Sequence, residues 1–131
     1  TLAWSSKKQT TVATSSSEAE YVALSAAASE AIWLVGVLGD LGEKTIEPVT
    51  IYEDNRGCIC MTKNAESKRV KHIDIKHHFL RDLVAAGKLR VEPISSNNQL
   101  ADFFTKSLDA ARFEELRMKL GVSKREGVLS K

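Results

Sequence analysis

A short apolar run, Val49-Thr50-Ile51-Tyr52-Glu53, breaks off at Asp54 and Asn55. Its β-branched and aromatic residues, its length and the Pro48 before it predict a buried strand. In open α/β sheets, ligands bind beyond the carboxyl ends of the parallel strands. An Asp at that point, followed by an Asn able to cap the next helix, is aimed at such a crevice. Asp54 is therefore the first candidate for chemistry. The plainer reading is that Asp54 and Asn55 end a strand and start a turn.

Around this run the sequence alternates helical and extended patterns. Leu2 to Trp4 and Thr10 to Ala13, separated by the polar Ser5-Ser6-Lys7-Lys8-Gln9, predict one strand or hairpin. Ser15 with Glu18, and Ser17 with Glu20, have the Ser-x-x-Glu spacing of a capping box. A long Ala-rich helix is expected from about Ser17, with no breaker before Gly36, Gly39 and Gly42. Asn55 is placed to cap a short helix through Cys58, Ile59 and Met61, closed by Asn64. Ile75, Phe79 and Leu83 recur at helical spacing, which predicts a helix from about Asp74 to Ala86 that stops at Gly87. Leu89 to Ile94 alternates as a strand, and Pro93 makes it an edge strand. Leu100, Phe103, Phe104 and Leu108 describe an amphipathic helix with Asp102 in its first turn. A last helix runs from Asp109 to Gly121.

At 131 residues and 43% hydrophobic content, the chain has the length and composition of one globular domain. Its 19 basic and 17 acidic residues leave a net charge of only +2, too little to imply nucleic-acid binding. Cys58 and Cys60 are too close for an ordinary disulfide and lack zinc-site spacing. They are expected to be reduced, half-buried helix residues in an intracellular setting. No apolar run approaches a membrane span, and the start, Thr1-Leu2-Ala3-Trp4, reads as the interior of something longer.

The element order predicts an α/β layer with Glu20, Asp54 and Asp102 at helix starts or strand ends. Three carboxylates gathered at one sheet edge would repel unless a hard divalent cation such as magnesium sat among them. Two such ions about 4 Å apart clamp the attacking and leaving oxygens of a phosphodiester. Taken singly, Glu20 is equally a capping-box residue and Asp102 a first-turn acid that complements the helix dipole.

Four segments in order carry a resemblance: Ser15-Ser16-Ser17-Glu18-Ala19-Glu20-Tyr21-Val22-Ala23, Ile51-Tyr52-Glu53-Asp54-Asn55, Lys71-His72-Ile73-Asp74-Ile75-Lys76-His77-His78-Phe79, and Asn98-Gln99-Leu100-Ala101-Asp102-Phe103-Phe104-Thr105-Lys106. Together they resemble the ribonuclease H domain of copia-type retrotransposon Pol polyproteins, over about Leu2 to Val122. The resemblance implies an α/β fold: a ribonuclease H-like mixed sheet flanked by helices, lacking the family's first two strands. The domain would span 1–122, with a polar tail over 123–131. It implies hydrolysis of the RNA strand of RNA–DNA hybrids, with Glu20, Asp54 and Asp102 as catalytic metal ligands for two Mg2+ or Mn2+ ions. It also implies a reverse transcriptase domain upstream; a cytoplasmic virus-like particle or nuclear location and, from the apolar pattern, no membrane partner are expected.

Two departures qualify this. The family's first metal-binding Asp lies on a central strand that precedes the part resembled, and Asp40 and Asp74 cannot replace it by order. The segment alone is therefore expected to be inactive and, with an open sheet edge, marginally stable. No His follows the last strand, where Ser95-Ser96-Asn97-Asn98 stands.

Lys68, Arg69, Lys71, His72 and Lys76, with Asn55, are candidate substrate contacts. Lysine and arginine there would hold phosphates without reading sequence, leaving groove shape and 2′-hydroxyls to select hybrid. The alternative is a solvated basic face. A zinc site at His72, His77 and His78 is disfavoured because His77 and His78 point apart and no Cys is near. Trp4 and Trp33 are expected in the core rather than as base-stacking platforms. Beside the nuclease reading stands a non-catalytic retrotransposon remnant that binds nucleic acid or a protein partner through the basic helix.

Overall fold

The computed structural model describes residues 3–10, 12–44, 47–63 and 74–123. They divide into two compact units, Thr11–Asn97 and a second made of Thr1–Thr10 with Asn98–Lys131.

The first unit holds α1 (Ser16–Asp40), β1 (Val49–Glu53), α2 (Arg56–Lys63), α3 (Asp74–Ala85) and β2 (Leu89–Pro93). β1 and β2 pair in parallel, Val49 opposite Leu89 and Glu53 opposite Pro93. They form the only sheet among the described residues. A parallel pair needs a crossover, and α2 and α3 supply it. The fold is mixed α/β, with a small parallel sheet where a larger mixed one was expected.

α1 begins as its capping residues dictate. The Ser15 hydroxyl accepts from the Glu18 N–H at 3.2 Å, and the Glu18 carboxylate accepts from both the N–H and the hydroxyl of Thr14. Gly36 and Gly39 do not break the helix. It ends where Gly42 adopts φ +81°, allowing the Glu43 N–H to reach the Leu38 carbonyl at 2.9 Å. Gly87, at φ +68°, ends α3 in the same way and turns the chain directly into β2.

The core joins Tyr21, Leu24 and Ala28 of α1, spaced to share one helix face, to Cys58 and Ile59 of α2, Leu80 of α3, and Leu89 and Val91 of β2. Val49 and Ile51 of β1 pack against it. Contrary to expectation, α1 is long and apolar enough to cross a membrane, by length and composition alone. In this unit it packs on α2, α3 and β1.

The second unit contains α4 (Asp102–Thr105) and α5 (Ala110–Lys119), built around the buried Leu116. The Asp109 carboxylate caps α5 by accepting from the Arg112 N–H at 2.8 Å.

Several expectations are corrected. Residues 3–9 and 12–13 form no strand or hairpin, because alternation confers a strand only where a partner edge takes up the backbone hydrogen bonds. The helix expected from Leu100 to Leu108 is reduced to a single turn. Lys106, its C-cap, is already extended. Trp4 and Trp33 are 67% and 62% exposed, so neither is a core residue. Cys58 is fully buried and Cys60 exposed, rather than both half-buried. Asn64 lies outside the described residues.

Candidate functional site

β1 delivers its carboxyl end to the point where α1 and α2 begin. The Asn55 side chain joins the two helices: its Oδ1 accepts from the Cys58 N–H of α2 at 3.0 Å and from the Ser17 hydroxyl of α1 at 3.1 Å. The first bond is the expected N-cap; the second reaches across 38 positions in sequence. The approach is close enough that a Cβ on Gly57 would clash with Ser17 Oγ. A side chain here would force Ser17 to shift.

Asp54, half-buried, sits in the turn between β1 and α2. Glu20 is exposed, one residue beyond the first turn of α1. The cap is made by Ser15 and Glu18, so the capping-box reading of Glu20 does not hold. Glu20 and Asp54 both act on a third carboxylate that sequence reasoning did not single out. Glu53 is only 6% exposed, and its Oε1 accepts from the Asn55 N–H at 2.9 Å. Burial pushes its carboxyl up. The Asn55 N–H and a hydrogen bond with the Cys58 side chain counter this, while the negative charges of Glu20 and Asp54 add to it. The signal was present in the alternation Val49, Ile51, Glu53, which places Glu53 on the inward face.

Cys58 is the neutral partner in this cluster. Burial pushes its thiol up, and Glu53 and Glu20 push it further, so it stays protonated and acts as a weak donor rather than a nucleophile. Tyr21, buried beside them, is pushed up to about 12, chiefly by burial. A groove of about 320 Å³ lined by Lys63, Arg90 and Glu92 among others contains none of the candidate acids.

Asp102 belongs to the second unit, at the first position of α4. Its Oδ1 is paired with Lys106 Nζ at 2.9 Å. Lys68, Arg69, Lys71 and His72 lie outside the described residues, as do the side chains of Lys76 and His77.

The structure thus brings Glu20 and Asp54 within electrostatic reach of Glu53 at a strand end. Among the described residues, however, no group of three or more His, Cys, Asp or Glu side chains is disposed to hold a metal ion.

Comparison with known proteins gives the context. The chain is 41% identical over 124 residues to the retrovirus-related Pol polyprotein from transposon RE1 of Arabidopsis thaliana, covering 94% of this chain and 8% of that protein. It matches the Pol polyprotein from transposon RE2 of the same plant at 41% identity over the same shares of both chains. The Pol polyprotein from transposon TNT 1-94 of Nicotiana tabacum is 38% identical over 122 residues, 92% of this chain and 9% of that protein. These homologues are retrotransposon Pol polyproteins. They support a retroelement origin, and the chain spans less than a tenth of their length. No family model and no solved structure matches the chain.

Proposed function

We propose that this chain is the later part of a copia-type ribonuclease H domain, which in its polyprotein hydrolyses the RNA strand of RNA–DNA hybrids during reverse transcription. The observation that carries the reading is similarity to Pol polyproteins along 94% of the chain, combined with acids in the order the family pattern requires: Glu20 on α1, Asp54 after β1 and Asp102 opening α4.

In this reading Asp54 is the fixed acid. β1 and the Asn55 cap hold its backbone, and Glu53 beneath it anchors the turn through the Asn55 N–H. Glu20 of α1 acts electrostatically on the same Glu53. The expected cofactor is Mg2+ or Mn2+, with a hard-oxygen ligand set. Because the described residues do not form such a set by themselves, the isolated chain is expected to be inactive. Further carboxylate would come from polypeptide beyond this sequence. Lys68, Arg69, Lys71, His72, Lys76 and Asn55 remain the proposed hybrid contacts, with a reverse transcriptase domain as the proposed covalent neighbour.

The test is cleavage of a labelled RNA–DNA hybrid with and without magnesium, by this chain and by a longer polypeptide that includes the preceding part of its polyprotein. Magnesium-dependent cleavage by the longer form, lost in Asp54→Asn, is the expected result. The second reading is a non-catalytic remnant that binds nucleic acid or a protein partner. Two folded polypeptides that both fail to cleave would overturn the nuclease reading in its favour.

A further inference from the structure

The turn that carries Asp54 is tied on both sides. Before it, the Glu53 carbonyl accepts from the Ile94 N–H at 3.0 Å, which carries the parallel ladder one residue past β2. The Glu53 carboxylate then reaches forward over Asp54 to the Asn55 N–H at 2.9 Å. After the turn, the Asn55 carbonyl accepts from the Ile59 N–H at 3.1 Å, and Asn55 Oδ1 takes the Cys58 N–H and the Ser17 hydroxyl. A buried carboxylate at Glu53 breaks the apolar alternation of Val49 and Ile51. Burying one is costly, and such local violations gather at functional sites.

The same bonds reach the helix that carries the other acid of this unit. Ser17 and Glu20 stand three positions apart on α1, a spacing that puts them on one helix face. The 3.1 Å bond from Ser17 to Asn55 therefore fixes α1 against the end of β1, one turn before Glu20. Gly57 lets the first turn of α2 come up against Ser17. Glu20 and Asp54 both act electrostatically on Glu53, so the two acids share the neighbourhood that these bonds define.

We propose that Ser17 and Glu53 are positioning residues of the hydrolytic centre, acting through Asn55 to hold Glu20 and Asp54 at a fixed separation without touching substrate. This role rests on the hydrolytic reading. Reacting groups must be held close to their working geometry, and a displacement of about 1 Å can cost about 100-fold in rate.

The test uses the longer polypeptide that includes the preceding part of the polyprotein. kcat and KM are measured on a labelled RNA–DNA hybrid at saturating magnesium, with circular dichroism confirming each fold. Ser17→Ala and Glu53→Leu are expected to lower kcat about 10- to 100-fold and to leave KM unchanged, because neither side chain contacts the hybrid. Glu53→Gln keeps an acceptor for the Asn55 N–H and should retain most of the parent's kcat. Amide hydrogen exchange gives a readout independent of activity: the Asn55 N–H should lose protection in Glu53→Leu and keep it in Glu53→Gln. Ser17→Ala removes only a part-buried hydroxyl and decides the matter should Glu53→Leu fail to fold. Cleavage by the parent that is lost in Asp54→Asn upholds the hydrolytic reading. Parental kcat in folded Ser17→Ala or Glu53→Leu, a loss expressed in KM, or equal losses in Glu53→Gln and Glu53→Leu would then overturn the positioning role alone. A folded parent that does not cleave overturns both.

Discussion

Replacing Asn55 by Ala removes one acceptor atom that serves two helices. The loss at α2 is an N-cap, worth about 1 kcal/mol. The loss towards α1 is the 3.1 Å bond from the Ser17 hydroxyl, part-buried and worth about 1 kcal/mol. The sum, about 2 kcal/mol, is large for a small chain of marginal stability. Asn55→Asp keeps both acceptors but adds a negative charge beside Glu53, Asp54 and Glu20. It should therefore be destabilised mainly at low salt and recover as salt screens the repulsion. Urea unfolding followed by far-UV circular dichroism gives both values, and Ser17→Ala closes a double-mutant cycle. A coupling of about 1 kcal/mol between positions 17 and 55 is expected. An Asn55→Ala loss below about 0.5 kcal/mol, or zero coupling, would refute the claim that this residue fastens α1 to α2.

Three further outcomes follow from the same contacts. Gly57→Ala places a methyl against Ser17 Oγ and should cost about 1–3 kcal/mol; adding Ser17→Ala should recover part of that in the same urea titration. Leu80→Ala empties a fully buried position and should cost about 2–5 kcal/mol, whereas Val12→Ala, at a position 93% exposed, should leave the midpoint unchanged. Glu115 is held below its ordinary carboxyl range by hydrogen bonds from Lys119 and then Arg112. Its contribution is present above the unfolded value and lost as pH falls through the folded one, so thermal melts of Glu115→Gln and the parent should differ slightly at neutral pH and converge in acid.

Local chemistry was legible in the sequence. Ser15, Asn55 and Asp109 cap the helices they precede, Gly42 and Gly87 end theirs, and the two strands lie where the apolar run from Val49 and the alternation from Leu89 put them. What failed depended on partners distant in sequence. Leu2 to Ala13 has strand composition, but no edge receives the described part of it. Trp4 has the hydrophobicity of a core residue, yet it stacks on Phe104 and remains 67% exposed. Asp102 was recognisable as an acid at a helix start. Its pairing with Lys106 follows the ordinary four-residue step and was there to be read. Glu53 was overlooked because a carboxylate in a strand is assumed to face water; here, alternation carried it inward against Cys58 and the Asn55 N–H.

The central claim is that Glu20, Asp54 and Asp102 serve one hydrolytic centre once the rest of the polyprotein domain is present. The direct measurement is the magnesium-dependent rate of hybrid cleavage by that longer polypeptide and by its Glu20→Gln, Asp54→Asn and Asp102→Asn variants, with circular dichroism confirming the fold of each. Loss of a partner that merely orients a metal ligand costs 10- to 100-fold in affinity or activity, so loss of a ligand should cost more than about 100-fold in every variant. A folded variant that cleaves at the parent rate would remove that residue from the centre and contradict the account.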